Sequence, residues 1–249
     1  MENTLLKIQN LSKYYHNKNT ETKAIDNLTF DVYENEILAI VGPSGCGKST
    51  LLSILADLEK KTSGKIIKKN NYKIGYMLQT DSLFPWLTIL DNTLIGLDIY
   101  HRKTKENIDK VINLLKKYGL YEFKDQYPSS LSGGMRQRVA LIRTLAINPD
   151  LILLDEPYSA LDYQTRLALS NDMYQIIKNE KKTAILITHN ISEAVSMADR
   201  VIVLTRRPCT IKKVYDIKLE NKTNPIDNRK DSKFNYYYDM IWRDLDVHI

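Results

Sequence analysis

Runs of four or five consecutive apolar residues recur along the chain, at Ile37–Val41, Leu151–Leu154, Ala184–Ile187 and Val201–Leu204. Runs this short and uniform predict strands buried on both faces. Between them the apolar positions take helical spacing, as in Leu51-Leu52-Ser53-Ile54-Leu55-Ala56 and in Ile108, Val111, Ile112 and Leu115. Strands alternating with helices predict an α/β fold with a mainly parallel sheet. The first part of the chain has another rhythm. Leu6–Leu11 and Leu28–Val32 alternate apolar and polar residues, the mark of half-buried strands. They predict an antiparallel β subdomain beside the main sheet, with Leu6–Leu11 at its edge and His16–Lys23 as a polar hairpin loop. Lys65-Ile66-Ile67 and Tyr72–Met77 add short strands.

From Thr80 the strand pattern stops. Leu83-Phe84-Pro85-Trp86-Leu87 is aromatic and broken by proline. Helices are predicted over Asp91–Tyr100 and over Lys105–Tyr118, the second followed by Gly119 in the position that favours glycine after a helix. A third begins in Leu131-Ser132-Gly133-Gly134-Met135-Arg136-Gln137-Arg138 and stops before Pro149. The stretch of about 80–148 therefore predicts a helical insertion into the α/β core. Ile191–Ala198 predicts a further helix and Ile211–Ile217 the last strand. Residues 1–217 are expected to form one domain, and 218–249 a short tail with a helix over Phe234–Trp242.

Immediately after Ile37–Val41 comes Gly42-Pro43-Ser44-Gly45-Cys46-Gly47-Lys48-Ser49-Thr50, and then the apolar helix. Strand, glycine-rich loop and helix in that order are the context a G-x-x-x-x-G-K-[ST] match requires. Glycines let backbone N–H groups converge on phosphate oxygens, and the helix N-terminus adds the positive end of its dipole. Lys48 reaches the β- and γ-phosphates, and the Ser49 hydroxyl suits Mg²⁺. A second pair of chemical residues, Asp155 and Glu156, follows a buried run. It therefore lies at a strand's carboxyl end, where open α/β sheets bind ligands. Asp155 suits the Mg²⁺ shell, and Glu156 suits a general base for the attacking water.

Composition narrows the setting. The chain has 249 residues, 43% of them hydrophobic, enough for one good-sized core. No apolar run reaches the ~20 residues that span a bilayer, and Met1-Glu2-Asn3-Thr4 opens no signal peptide. A cytoplasmic setting is expected. Cys46 and Cys209 are the two cysteines, and the place of Cys46 in the phosphate loop argues against a structural disulfide. The net charge of +6 comes from lysines spread along the chain, so a solvated surface is expected and no nucleic-acid partner.

Leu131–Arg138 resembles the signature of ABC-transporter ATPases. The resemblance extends over Leu6 to about Ile217, with the family's motifs in the family's order. Tyr15 matches the aromatic that stacks on adenine, and the adjacent Tyr14 is open to the same role. Gly42–Ser49 matches the Walker A loop, Gln79 the Q-loop glutamine, Leu151–Glu156 Walker B, Ser159–Asp162 the D-loop and His189 the switch histidine. Met135 departs from the common form, which has glutamine there. The resemblance implies that Gln79 touches Mg²⁺ and the attacking water and that His189 bonds the γ-phosphate. It also implies that Ser132, Gly133 and Gly134 receive the γ-phosphate of ATP held by a second copy. Without it, Ser132 reads equally as a helix N-cap. Leu83–Asn92 and Arg206-Arg207-Pro208 resemble nitrate, sulfonate, taurine and bicarbonate importer ATPases. That branch implies ATP and Mg²⁺ as cofactors and ATP hydrolysis as the activity. Its implied partners are a membrane permease at the cytoplasmic face of the membrane, a second copy of the chain and, indirectly, an extracellular substrate-binding protein. Other readings are an exporter ATPase, a soluble ABC ATPase acting on DNA or the ribosome, and a P-loop small-molecule kinase. The single cassette without a long heptad array disfavours the soluble ABC ATPase, and Leu131–Arg138 disfavours the kinase.

Overall fold

A computed structural model describes residues 3–17, 20–69, 72–159 and 161–245. Two sheets organise it. Strands β1 (Thr4–Asn17), β2 (Thr20–Tyr33) and β4 (Ser63–Lys68) form an antiparallel sheet in the order β2-β1-β4. Strands β5 (Ile74–Met77), β6 (Leu151–Asp155), β7 (Thr183–Ile187), β3 (Ile37–Val41), β8 (Arg200–Leu204) and β9 (Ile211–Asp216) form the main sheet in that order. Its first five strands run parallel and β9 is antiparallel to β8. The predicted α/β class and the predicted antiparallel β subdomain are both present.

Two expectations for that subdomain need correction. Leu6–Leu11 is not an edge, because β1 pairs with β2 on one side and with β4 on the other. The polar stretch His16–Lys23 is mostly strand: His16 pairs with Glu21 and Tyr15 with Thr22, and only positions 18–19 lie outside the described residues. A two-stranded ladder accepts polar residues on its solvent face, so polarity alone did not mark a loop.

The uniform apolar runs are buried on both faces and feed two cores by alternation. Ile37, Ala39, Val41, Ile152, Leu154, Ala184 and Leu186 point into one cluster, and Leu38, Ile40, Leu151, Leu153, Ile185 and Ile187 into the other. The second core lies under the antiparallel sheet and helix α1 (Lys48–Leu55). The first is covered by the helical insertion and the later helices. The insertion comprises α2 (Ile89–Ile99), α3 (Lys105–Lys117) and α4 (Gly133–Ala146), with no strand among the described residues between β5 and β6. Thr88 and Thr104 cap the first two of these helices with their side chains, and Gly119 follows α3 at φ 70°. The rest are α5 (Tyr163–Asn179), α6 (Ile191–Met197), α7 (Pro225–Asn228) and α8 (Phe234–Asp244). Helix α7, one turn with Pro at its start, had no apolar period to announce it. Phe234 and Ile241 of α8 are buried in the first core. Among the described residues no helix is long and apolar enough to cross a membrane.

Candidate nucleotide site

The carboxyl ends of β3, β5, β6 and β7 open on the same edge of the sheet, and each carries a residue singled out from the sequence. Gly42–Gly47 links β3 to α1. Gly47 sits at φ 126°, and a Cβ there would lie 3.0 Å from the Ala24 carbonyl oxygen, so the turn into α1 requires glycine. Ser44, Gly45 and Ser49 are exposed, whereas Cys46 is buried. Lys48 is buried and folds over the loop, its Nζ donating to the Gly42 carbonyl at 2.8 Å and the Pro43 carbonyl at 3.0 Å. Lys48, Ser49 and Thr50 form the first turn of α1, whose amides lack intrahelical acceptors and face outward as an anion cradle. Arg207 Nη2 donates to the Gly45 carbonyl at 2.9 Å, bracing the loop from the β8–β9 connection. Both cysteines are free and buried, and the neighbouring Cys209 thiol, with Lys48, holds the Cys46 thiol below its ordinary range.

Asp155 ends β6 with Oδ1 3.4 Å from Ser49 Oγ, so a carboxylate and a hydroxyl from different elements meet beside the phosphate loop. Burial raises the Asp155 carboxyl, against hydrogen bonds from Tyr76 and Ser49. Hard oxygen donors of this kind suit Mg²⁺, which keeps waters and takes one or two carboxylates plus phosphate oxygens. Among the described residues there is no group of three or more His, Cys, Asp and Glu that would cage a metal alone. Glu156 stands next in the left-handed region at φ 45°, and its amide donates to the Ile187 carbonyl at 3.0 Å. A non-glycine residue there costs of order 1–3 kcal/mol, and such strain clusters at functional sites. Its Oε2 is 3.0 Å from His189 Nδ1, so the acid after β6 and the histidine after β7 form a pair.

The other residues lie apart. Gln79 Nε2 donates to Ser159 Oγ at 3.1 Å, so its amide is engaged by the loop after β6 rather than by Asp155 or Ser49. Ala160, in the middle of that loop, lies outside the described residues. Ser132 is exposed and caps α4, accepting from the Met135 amide at 3.3 Å. Around Gly133 and Gly134 the nearest side chains are Leu161 and Thr165, so this helix start abuts the entrance of α5 and not the phosphate loop of its own chain. Tyr15 is partly exposed, with the Lys13 ammonium 4.7 Å from its ring centroid; the Tyr14 ring carries the Lys23 ammonium at 5.1 Å.

Several residues at the site have no role assigned by the sequence motifs. Tyr76 donates its hydroxyl to Asp155 Oδ2 at 3.2 Å; burial pushes the phenol up to about 12, so the proton stays on it. Arg136 and Arg143 of α4 hold the segment after Gln79: Arg136 Nε pairs with Asp81 at 3.0 Å, and Arg143 donates to the Asp81 and Ser82 carbonyls at 2.8 and 2.7 Å. Their separation of seven residues puts them on one helix face, a signal the sequence did contain. Asn92 holds the next segment through Phe84, Leu87 and Thr88.

The family model for the ABC transporter domain matches residues 25–159. The chain belongs to the ABC-transporter ATP-binding family. Over 249 aligned residues this cassette is 41% identical to the uncharacterized ABC transporter ATP-binding protein YtlC of Bacillus subtilis (strain 168), covering 97% of this chain and 96% of that one. It is 36% identical to the aliphatic sulfonates import ATP-binding protein SsuB of a Bacillus cereus strain, with 85% and 86% covered. Among solved structures, the dimeric post-hydrolysis state of the cassette MJ0796 bound to ADP and phosphate superposes with a TM-score of 0.72 at 32% identity, covering 86% of this chain and 99% of that one.

Proposed function

We propose that this ABC cassette is the ATP-hydrolysing subunit of an importer of small anionic solutes, of the nitrate or sulfonate type. The observation that carries the catalytic part is the Glu156–His189 pair at the carboxyl ends of neighbouring strands, beside a phosphate loop whose lysine lies within it. In this reading Gly42–Thr50 cradles the triphosphate. Lys48 leaves the Gly42 and Pro43 carbonyls to meet the β- and γ-phosphates. Ser49 and Asp155 would hold Mg²⁺, with Gln79 joining them once it leaves Ser159, and the ion would neutralise phosphate charge. Glu156 takes the proton of the attacking water, while His189 orients the Glu156 carboxylate and hydrogen-bonds the γ-phosphate. Tyr15 stacks on the adenine.

Ser132, Gly133 and Gly134 lie away from their own phosphate loop and present a capped helix start outward, which supports delivery to the ATP of a second copy. That the MJ0796 cassette is dimeric in its ADP- and phosphate-bound state supports a second copy as the partner. The permease partner is supported by the exposed Trp86, which packs on Phe84 with ring centroids 5.3 Å apart, in the segment that resembles the importer branch. The substrate class rests on that resemblance and on the likeness to SsuB. The subunit would then work at the cytoplasmic face of the membrane, served indirectly by an external binding protein. The test is Glu156→Gln. Loss of the general base should slow ATP turnover roughly 10²–10⁴-fold while ATP binding persists, and gel filtration with ATP should show a stable dimer. Near-normal turnover would exclude Glu156 as the base.

A further inference from the structure

Glu193 is 3% exposed, a charged side chain in the interior one turn into α6. Burial raises its carboxyl, countered first by the Thr188 hydroxyl and then by the Arg166 charge. One carboxylate oxygen, Oε2, accepts from Thr188 Oγ1 at 2.5 Å. That hydroxyl in turn accepts from the Asn190 amide at 3.0 Å. The backbone on both sides of His189 is thus pinned to one hydroxyl, which is pinned to Glu193. The other oxygen, Oε1, faces Arg166 Nε of α5 at 3.8 Å. Arg166 Nη2 donates to the Leu161 carbonyl at 3.0 Å, in the loop whose Ser159 receives Gln79.

Helix capping explains part of this arrangement: Asn190 caps α6, and its Oδ1 accepts from the Glu193 amide at 3.3 Å. It does not explain why the second carboxylate oxygen is turned across to α5. Nor does it explain why, among the described residues, Arg166 Nε is buried without a hydrogen-bond partner while facing that oxygen. An ion pair between a buried carboxylate and a half-buried guanidinium that stops short of a hydrogen bond is a weak source of stability. It does join two loops electrostatically, where solvent screening is small.

Resting on the ATPase reading above, we propose that Glu193 and Arg166 are positioning residues that make the His189 strand end and the backbone at Leu161, at the entrance of α5, move as one unit. His189 contacts Glu156, and Leu161 lies against the start of α4. A shift at that surface therefore reaches the Glu156–His189 pair through Arg166, Glu193 and Thr188. Neither residue touches the nucleotide in this scheme, so their loss should act on the chemical step and not on ATP affinity.

The test uses the full chain with Glu193→Gln, Arg166→Met and the double variant, measuring ATP turnover against ATP concentration and thermal melting on the same samples. A misplacement of about 1 Å costs on the order of 10²-fold in rate, so each single variant should lower kcat ten- to a hundredfold. KM for ATP should stay within about twofold, since uniform binding is untouched. The double variant should lose no more than the worse single one, because both cut the same link. Arg166→Lys, which keeps the cation, should recover part of the loss, and it provides a decisive arm if Glu193→Gln folds poorly. Effects that multiply in the double variant, unchanged kcat per folded molecule, or a raised KM at constant kcat would each overturn the link. The unaltered chain run alongside separates the two readings. Its failure to hydrolyse ATP would defeat the ATPase assignment, whereas its normal turnover with unaffected variants would defeat this link alone.

Discussion

Asn92 offers a sharp test of how the segment after Gln79 gets its shape. It is fully buried in α2. Its Oδ1 accepts from the Phe84 amide at 2.7 Å, and its Nδ2 faces the carbonyls of Phe84, Leu87 and Thr88 at 3.0, 3.1 and 2.9 Å. An amide has two hydrogens for those three carbonyls, and Thr88 O already receives the Asn92 backbone amide. About three effective hydrogen bonds therefore depend on this side chain. At roughly 1 kcal/mol net each, Asn92→Ala should cost about 3 kcal/mol. In a chain of this size 1 kcal/mol moves the midpoint by about 2–4 °C, so the melt should fall by about 6–12 °C. Urea titration gives the free energy directly. Asn92→Asp should be at least as damaging at neutral pH, since its carboxylate would face the same carbonyls. Its acid would be held above its unfolded pKa, so the folded form would bind the proton more tightly. The deficit should then shrink as the pH is lowered and grow as it is raised. Asn92→Ala should also weaken permease co-purification while leaving KM for ATP unchanged, because among the described residues the Asn92 side chain bonds Phe84, Leu87 and Thr88 and not the phosphate loop. A melt within about 1 kcal/mol of the unaltered chain would refute the claim that Asn92 shapes this segment.

Two further outcomes follow from the geometry. A Cβ on Gly75 would stand 2.4 Å from Thr144 Cγ2, where β5 packs directly on α4. Gly75→Ala should cost about 1–3 kcal/mol, and Thr144→Ser, which removes that methyl and keeps the hydroxyl on the Ala140 carbonyl, should restore most of it in a thermal melt; failure of the rescue would place the clash elsewhere. Mixing Ser132→Arg chains with Lys48→Ala chains should return ATPase activity that neither homodimer has, since one composite site of the mixed dimer carries both lesions and the other none; a Ser132→Arg chain that hydrolyses ATP normally by itself would exclude the trans role.

The strands and most helices were legible because burial on both faces leaves an unbroken apolar run, and burial on one helix face leaves a 3.6-residue period. Both are one-dimensional records of packing. The phosphate loop was legible for a related reason: its glycines, lysine and hydroxyl act within nine consecutive residues, so local order specifies the cradle. Asp155 and Glu156 were placed by the strand before them. What the order of residues could not show was contact between segments. Leu6–Leu11 has the same alternation in the middle of a sheet as at its edge, since side-chain period reports faces and not neighbours. Glu156 and His189 are 33 positions apart and meet because β6 and β7 pair. Tyr76 reaches Asp155 across the β5–β6 ladder. Glu193 and Arg166, 27 positions apart, are joined by the packing of α5 against α6. A polar residue at one position carries no mark of a partner that distant, and only closure of the tertiary structure decided which pairs share a site.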